Sequence, residues 1–260
     1  MKDPRACSDF LLKHWRDETR CENLPMDLQP HDKAEAYVVQ AVMEQQSASL
    51  LWGWKIAATS VAGQKHIGVS GPLAGRYIAE RVVSSGDTIP FAGNHMKVAE
   101  VEFAFKLSAD LPPRQSIYTE DEVFAAVASL HPAIEIPDSR YNRFESVGEL
   151  ALIADNACGH WLAIGDAAPD IWRNMDLAAF APLGRIPGKG EWQGRGANVL
   201  GSPRIAMTWL ANELSQLGIG MKAGQTATTG TCLVPMAITA GDRIEGDFGG
   251  LGKVAVEMGV

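Results

Sequence analysis

The sequence predicts an α+β fold: a largely β core behind a small helical start. Three observations carry this expectation. Apolar residues in the first fifty positions recur at helical spacing. From Leu51 onward, short apolar runs are broken by Gly, Pro and Asp, the texture of strands and turns. Only two helical stretches interrupt that second region, too few for the regular alternation of a doubly wound sheet. The expected division is a helical region over 1–50 and a β-rich core over 51–260.

Taken in order, Ser8 is placed to cap a first helix carrying Phe10, Leu11 and Trp15 on one side. Asp32 opens a second in "DKAEAYVVQAVMEQQ", where Ala34, Tyr37, Val38 and Ala41 repeat at helical intervals. The plainest strands are "WGWKIAAT", "EVEFAFKL", "PAIEI" and "HWLAIG". "TEDEVFAAVASLHP" reads as a helix, with Thr119 and Glu122 spaced as a capping box and a stop before Pro132. "SPRIAMTWLANELSQLG" reads as another, from Ser202 as cap and Pro203 as first residue to Gly218 past the end. "GRIPGKGEWQGRG" reads as a mobile loop, and "AGDRIEGDFGGLGKVAVEM" as two strands around a glycine turn.

At 260 residues the chain can bury a sizeable core, and its net charge of −8 argues against nucleic acid or an anionic membrane as the main partner. No run approaches the roughly 20 apolar residues of a membrane span, and the charged N-terminus is no secretory signal. Cys7, Cys21, Cys158 and Cys232 lie far apart, as reduced thiols of a cytoplasmic protein would. Nucleophile-elbow, P-loop, GxGxxG and HExxH patterns are all missing.

The acids are the residues that call for chemistry. Along "KVAEVEFAFKL" a strand puts Ala99, Val101, Phe103, Phe105 and Leu107 on one face. Glu100 and Glu102 fall on the other, about 7 Å apart. Glu135 stands alone in the apolar "HPAIEIPD", where an unpaired charge is costly to bury. Three carboxylates of this kind suit a hard ion such as Mg2+ or Mn2+; a half-exposed strand face with Glu135 at an edge fits the same pattern. Lys55 is one cation among Trp52, Trp54 and Ile56, and Gly53, Ala57 and Thr59 on its own face leave room for a ligand. A snorkelling surface lysine is the alternative. In "TTGTCLVP", Gly230 permits close backbone approach to an anion, or makes a simple turn.

Read together, "DETR", "AEAYVVQ", "GWKIAATS", "VAEVEFAFKLSADLP", "HPAIEIPDSRY", "IADNACGHWLAIG", "GANVLGSPRIAMTWLANEL", "KAG", "TTGT" and the closing "AGDRIEGDFGGLGKVAVEM" resemble one family, essentially end to end. It is the 2-hydroxypenta-2,4-dienoate hydratase and 4-oxalocrotonate decarboxylase branch of the fumarylacetoacetate hydrolase superfamily. The resemblance implies a fumarylacetoacetate hydrolase-like β-rich core, a small N-terminal helical region and a homo-oligomer, with a paralogous decarboxylase or hydratase as a further partner to expect. It implies that Glu100, Glu102 and Glu135 hold Mg2+ or Mn2+, that Lys55 meets the carboxylate or enolate of a small anionic 2-oxo acid substrate, and that Thr231 contacts the same end. The divalent ion would act there as a Lewis acid on the 2-oxo oxygen.

One position departs from the family. Hydratases carry an acid in a segment like E-P-D-Y-G, and the matching residue in "SGPLAG" is Leu73, which transfers no proton. His66, Arg76 and Tyr77 lie nearby in sequence. The reading that results is a metal-dependent lyase of 2-hydroxydienoic or 2-oxoenoic acids in aromatic catabolism, a 2-keto-4-pentenoate-type hydratase ahead of a decarboxylase. An acylpyruvate C–C hydrolase and a non-catalytic partner subunit are the expectations from other classes.

Overall fold

The computed structural model describes residues 3–260. Six α-helices are present among them: α1 (Pro4–Arg16), α2 (Lys33–Ala41), α3 (Val61–Ile67), α4 (Glu120–Ala125), α5 (Glu149–Ala154) and α6 (Pro203–Gln216). The strands fall into two sheets. The larger contains β1 (Gly53–Ala57), β2 (Leu73–Tyr77), β3 (Val82–Ser84), β5 (Val98–Leu107), β6 (Val127–Ile136), β7 (Trp161–Ile164) and β10 (Thr226–Thr231), in the order β2-β1-β10-β5-β6-β7-β3, with the short β11 (Met236–Ala237) added to β5. The smaller contains β4 (Thr88–Ile89), β8 (Leu183–Ile186), β9 (Gly190–Gln193), β12 (Arg243–Asp247) and β13 (Lys253–Met258), in the order β4-β13-β12-β8-β9.

The core forms where the two sheets meet. Val101, Phe103, Phe105 and Leu107 of β5 are buried, as their alternation predicts. Phe103 meets Phe180 and Phe248 edge-on at 5.7 and 5.0 Å between ring centroids, while Phe105 meets Phe124 of α4 at 5.0 Å. Gly165 lets the sheets close: a Cβ there would sit 2.8 Å from the Lys253 carbonyl. The other face of β5 is buried as well, since Glu102 and Ala104 are fully covered. The strand therefore has no solvated side along this stretch.

The N-terminal helices brace the edge of the larger sheet. Leu11 of α1 and Val39 of α2 share a small apolar cluster with Tyr141 and with Ala154 of α5. From α2, the Tyr37 hydroxyl accepts the Ala74 N–H of β2 at 3.0 Å. Gln40 Nε2 donates to the carbonyls of Ala74 and Ile153 at 2.9 and 2.8 Å.

Three sequence expectations are corrected. Asp3, not Ser8, caps α1, and Ser8 is buried inside the helix. The capping box at Thr119 and Glu122 is present, but α4 ends at Ala125 and "VASLHP" is the first half of β6. Pairing with β5, including Phe105 opposite Leu130, outweighs the weak helical preference of Val and Ser there. The glycine-rich segment expected to be a mobile loop is the β8–β9 hairpin, whose turn uses Gly188 at φ +81°. The expected helix 203–216 and the final strand pair occur as read, with Ser202 as N-cap and Gly218 left-handed at φ +73°.

Candidate metal centre

Strand register brings the acids together. β5 and β6 pair antiparallel with Glu100 opposite Glu135 and Glu102 opposite Ala133, so all three carboxylates leave the same face. One carboxylate oxygen from each lies within 4.8 Å of the others. Glu102 and Glu135 are fully buried and Glu100 is half-buried. The open choice between a half-exposed strand face and a converging site is therefore settled as convergence.

Two basic or N–H groups face the acids. Lys55 Nζ stands 2.9 Å from Glu135 Oε1 and donates to the Ala157 carbonyl at 3.0 Å. Gly230 N–H donates to Glu102 Oε2 at 2.8 Å. The anion held at the glycine of "TTGT" is thus the protein's own carboxylate. Gly230 has φ +92°, and a Cβ there would come within 2.3 Å of the Thr59 hydroxyl. Gly53, expected to leave ligand room, instead lets β1 approach β10: a Cβ would sit 1.9 Å from the Thr226 carbonyl.

This supply of donors leaves the acids under-satisfied. Glu102 Oε1 and both oxygens of Glu135 receive no hydrogen bond of good geometry, Lys55 serving Glu135 by charge rather than by alignment. Burial, then repulsion from Glu135, raises the Glu100 carboxyl to about 7, and burial pushes Glu102 up further in the same direction. For Lys55, burial opposes the charge, but Glu135, Glu100 and Glu102 together outweigh it and hold the ammonium protonated. With all three carboxylates ionised beside one ammonium the site would carry −2, a charge that a single divalent cation neutralises. All-oxygen ligation fits a hard ion. The residues present therefore fit a divalent metal.

The surroundings of the Lys55 stem are built by residues that carry no obvious sequence signal. Asn156, Ala157 and Cys158 are three consecutive left-handed residues at φ +57°, +48° and +60°, a conformation that costs roughly 1 kcal/mol for each non-glycine residue. Asn156 pins this turn to β2: its Oδ1 accepts the Arg76 N–H at 2.7 Å and its Nδ2 donates to the Arg76 and Gly159 carbonyls at 2.9 and 3.2 Å. Gly75 and Gly159 flank the lysine stem, and a Cβ on either would meet it within 2.8 and 3.2 Å. The turn thereby aims the Ala157 carbonyl at Nζ. An Asn followed by two non-glycines is the sole clue that "ADNACGH" is special, since Asn tolerates the left-handed region.

Other sequence-predicted residues are placed unequally. Thr231 pairs with Glu102 across the strands, but its hydroxyl donates to the Leu233 carbonyl at 2.8 Å. Leu73 is buried opposite Ala57 in the main core. His66 is exposed and packs edge-on to Phe144. Arg76 points away, ion-paired with Glu44 at 2.6 Å and stacked on Trp54. Tyr77 alone of these reaches the acids: it is buried, beside Thr228 and Glu135, and neither its hydroxyl nor that of Thr228 has a well-formed hydrogen bond.

A 2-keto-4-pentenoate hydratase of Paraburkholderia xenovorans (strain LB400) is 32% identical over 227 residues, 86% of this chain and 83% of that protein. That relation decides the kinship. The chain belongs to the hydratase–decarboxylase branch of the fumarylacetoacetate hydrolase superfamily. A 2-hydroxyhexa-2,4-dienoate hydratase of Comamonas testosteroni, another similar protein, is 31% identical over 218 residues, 83% of this chain and 81% of that protein. Among solved structures, a 4-oxalocrotonate decarboxylase from Pseudomonas putida G7, complexed with magnesium and adipate, has 25% identity and a TM-score of 0.88, with 98% of this chain and 97% of that chain covered. A fumarylpyruvate hydrolase from Pseudomonas aeruginosa shares the superfamily fold at 15% identity, a TM-score of 0.62 and 82% of this chain and 93% of that chain covered. No family profile matches the chain. The fold expected from the sequence, a β-rich core with N-terminal helices, is that of this superfamily.

Proposed function

We propose that this member of the hydratase–decarboxylase branch is a divalent-metal-dependent lyase of short 2-hydroxydienoic or 2-oxoenoic acids, working as a 2-keto-4-pentenoate-type hydratase. The observation that carries the reading is the convergence of Glu100, Glu102 and Glu135 within 4.8 Å beside the buried Lys55. The named activities of its hydratase relatives support the substrate class. Glu100, Glu102 and Glu135 would hold the ion, Mg2+ or Mn2+ by their oxygen chemistry. When bound, it supplies Lewis acidity at the 2-oxo oxygen of the substrate.

The chain's own groups do the rest. Lys55, kept protonated among three acids, offers a fixed cation to the substrate's carboxylate or developing oxyanion and needs no reorganisation to do so. The Thr231 hydroxyl contacts the same end by exchanging its bond to Leu233. The buried floor formed by Tyr77, Ala104, Ala133 and Leu162 excludes water from beneath the acids. Hydration also needs a proton moved at the far end of the substrate, and Leu73 holds no proton there. That apolar residue favours 4-oxalocrotonate-type decarboxylation as the second reading. The four free thiols suit the reducing cytoplasm, and the expected homo-oligomer would cover exposed Leu50, Val61 and Val234.

Purified protein with Mg2+ or Mn2+ is to be offered 2-hydroxypenta-2,4-dienoate, 2-oxohex-3-enedioate and an acylpyruvate. Loss of dienol absorbance without carbon dioxide is the expected result. Carbon dioxide release would establish the decarboxylase instead, and pyruvate plus a free acid a hydrolase. No turnover and no bound metal would leave only the non-catalytic subunit.

A further inference from the structure

A second region of the molecule is chemically incomplete, and with the opposite sign. At the end of β6 and the start of β7, a cavity of about 110 Å3 is lined by Trp15, Arg20, Arg81, Arg140, His160 and Trp161. None of Lys55, Glu100, Glu102 or Glu135 lines it. That volume exceeds the roughly 10–15 Å3 that one water requires and is enough for a small polyatomic ligand.

Four of the lining side chains present buried polar atoms that have no partner: Trp15 Nε1, Arg20 Nε, Arg140 Nη1 and His160 Nδ1. Three of them are obligate donors, and a neutral histidine protonated at Nδ1 makes the fourth. These atoms belong to residues of the cavity wall and are themselves covered by their neighbours, so what the wall turns to the space is its charge.

The charges agree. Arg140 is ion-paired with Asp155, and Arg20 with Asp138, which also accepts the His95 and Met96 N–H groups at 2.8 and 3.2 Å. These two acids are therefore fully engaged. Among the described residues Arg81 has no ion pair; its guanidinium lies between two indoles, 5.1 Å from the Trp15 ring and 4.6 Å from Trp161. The one other acid of the lining, Glu18, is exposed. His160 senses the excess: burial, then Arg81, Arg140 and Arg20, push its pKa well down and keep the ring neutral.

We propose that this cavity is a binding site for a small oxyanion, the carboxylate of a short organic acid, separate from the metal centre. The Arg81 guanidinium, seated between two indoles, suits the planar, two-oxygen geometry of a carboxylate. The guanidinium charges of Arg20 and Arg140 in the same wall add to the attraction. Inorganic phosphate shares this donor chemistry and is the competing occupant.

The test uses the intrinsic fluorescence of the full-length, metal-loaded protein, since Trp15 and Trp161 form the walls. Acetate, succinate and inorganic phosphate are titrated at constant ionic strength against sodium chloride. A saturable change with acetate or succinate is expected, weakened at least about tenfold by Arg81→Gln and kept in Glu102→Gln, which removes a metal ligand. Turnover should be unaffected by Arg81→Gln. Arg20→Gln, checked by circular dichroism, serves if the first variant fails to fold. A saturable response to phosphate alone would replace the carboxylate by phosphate as the occupant. No saturable response, or one that survives both arginine substitutions or vanishes in Glu102→Gln, would overturn the site.

Discussion

The acid centre and the arginine cavity are two buried polar regions left incomplete in opposite ways. At the first, acceptors lack partners: Glu102 Oε1 and both Glu135 oxygens. At the second, donors lack them: Trp15 Nε1, Arg20 Nε and Arg140 Nη1. Orphaned buried groups are costly, about 1–3 kcal/mol each, so each pattern indicates a missing complement. The acid centre suits a cation, and the proposed occupant of the cavity is an anion. The regions also differ in how they are held. Strand register fixes the acids, whereas the cavity is gathered from α1, the segment after β2, the segment after β6 and the start of β7.

The sharpest way to break this contrast is Glu102→Gln. It should abolish tight binding of Mg2+ or Mn2+, read by calorimetry, and cut kcat by at least about 10²-fold, with circular dichroism unchanged. Retained metal would remove Glu102 from the ligand set. Next, Lys55→Met should keep the metal but lower kcat by about 10²-fold, since a fixed cation at the oxyanion is lost. A change confined to KM would show that Lys55 only binds substrate.

Asn156→Ala should destabilise the protein by about 2–3 kcal/mol in urea unfolding, because the Arg76 N–H and two carbonyls lose a buried partner. It should also lower kcat more than it raises KM, because the turn that steadies Lys55 loosens. An unaltered kcat would confine Asn156 to a structural role.

The smallest effect is on pH dependence. The Glu100 carboxyl rises from 4.5 to about 7 in the folded, metal-free chain, so the folded state holds this proton where the unfolded chain has lost it. Metal-free protein should therefore be most stable below about pH 4.5 with respect to this group, and its Tm should fall as pH rises through about 7. Excess Mg2+ should remove the trend, because the ion takes the proton's place. A Tm that climbs with pH in the presence of a chelator would contradict the buried, unneutralised triad.

Much of this was legible in the residues. Period-two alternation placed Glu100 and Glu102 on one face of β5, and cap residues marked α2 and α6 correctly. The order of the motifs pointed to the family. These features depend on near neighbours in the chain, whose geometry is set by local backbone periodicity.

What only the tertiary structure decided lies between distant segments. The register that sets Glu135 opposite Glu100, the reach of Lys55 to Glu135, and the left-handed turn at 156–158 arise from strand order and packing, which no local pattern encodes. So does the end of α4 at Ala125, where pairing with β5 overrides helical preference. The arginine cavity is the extreme case. Trp15, Arg81, Arg140 and His160 look like ordinary surface or core residues when read singly, and only folding brings them around one cavity.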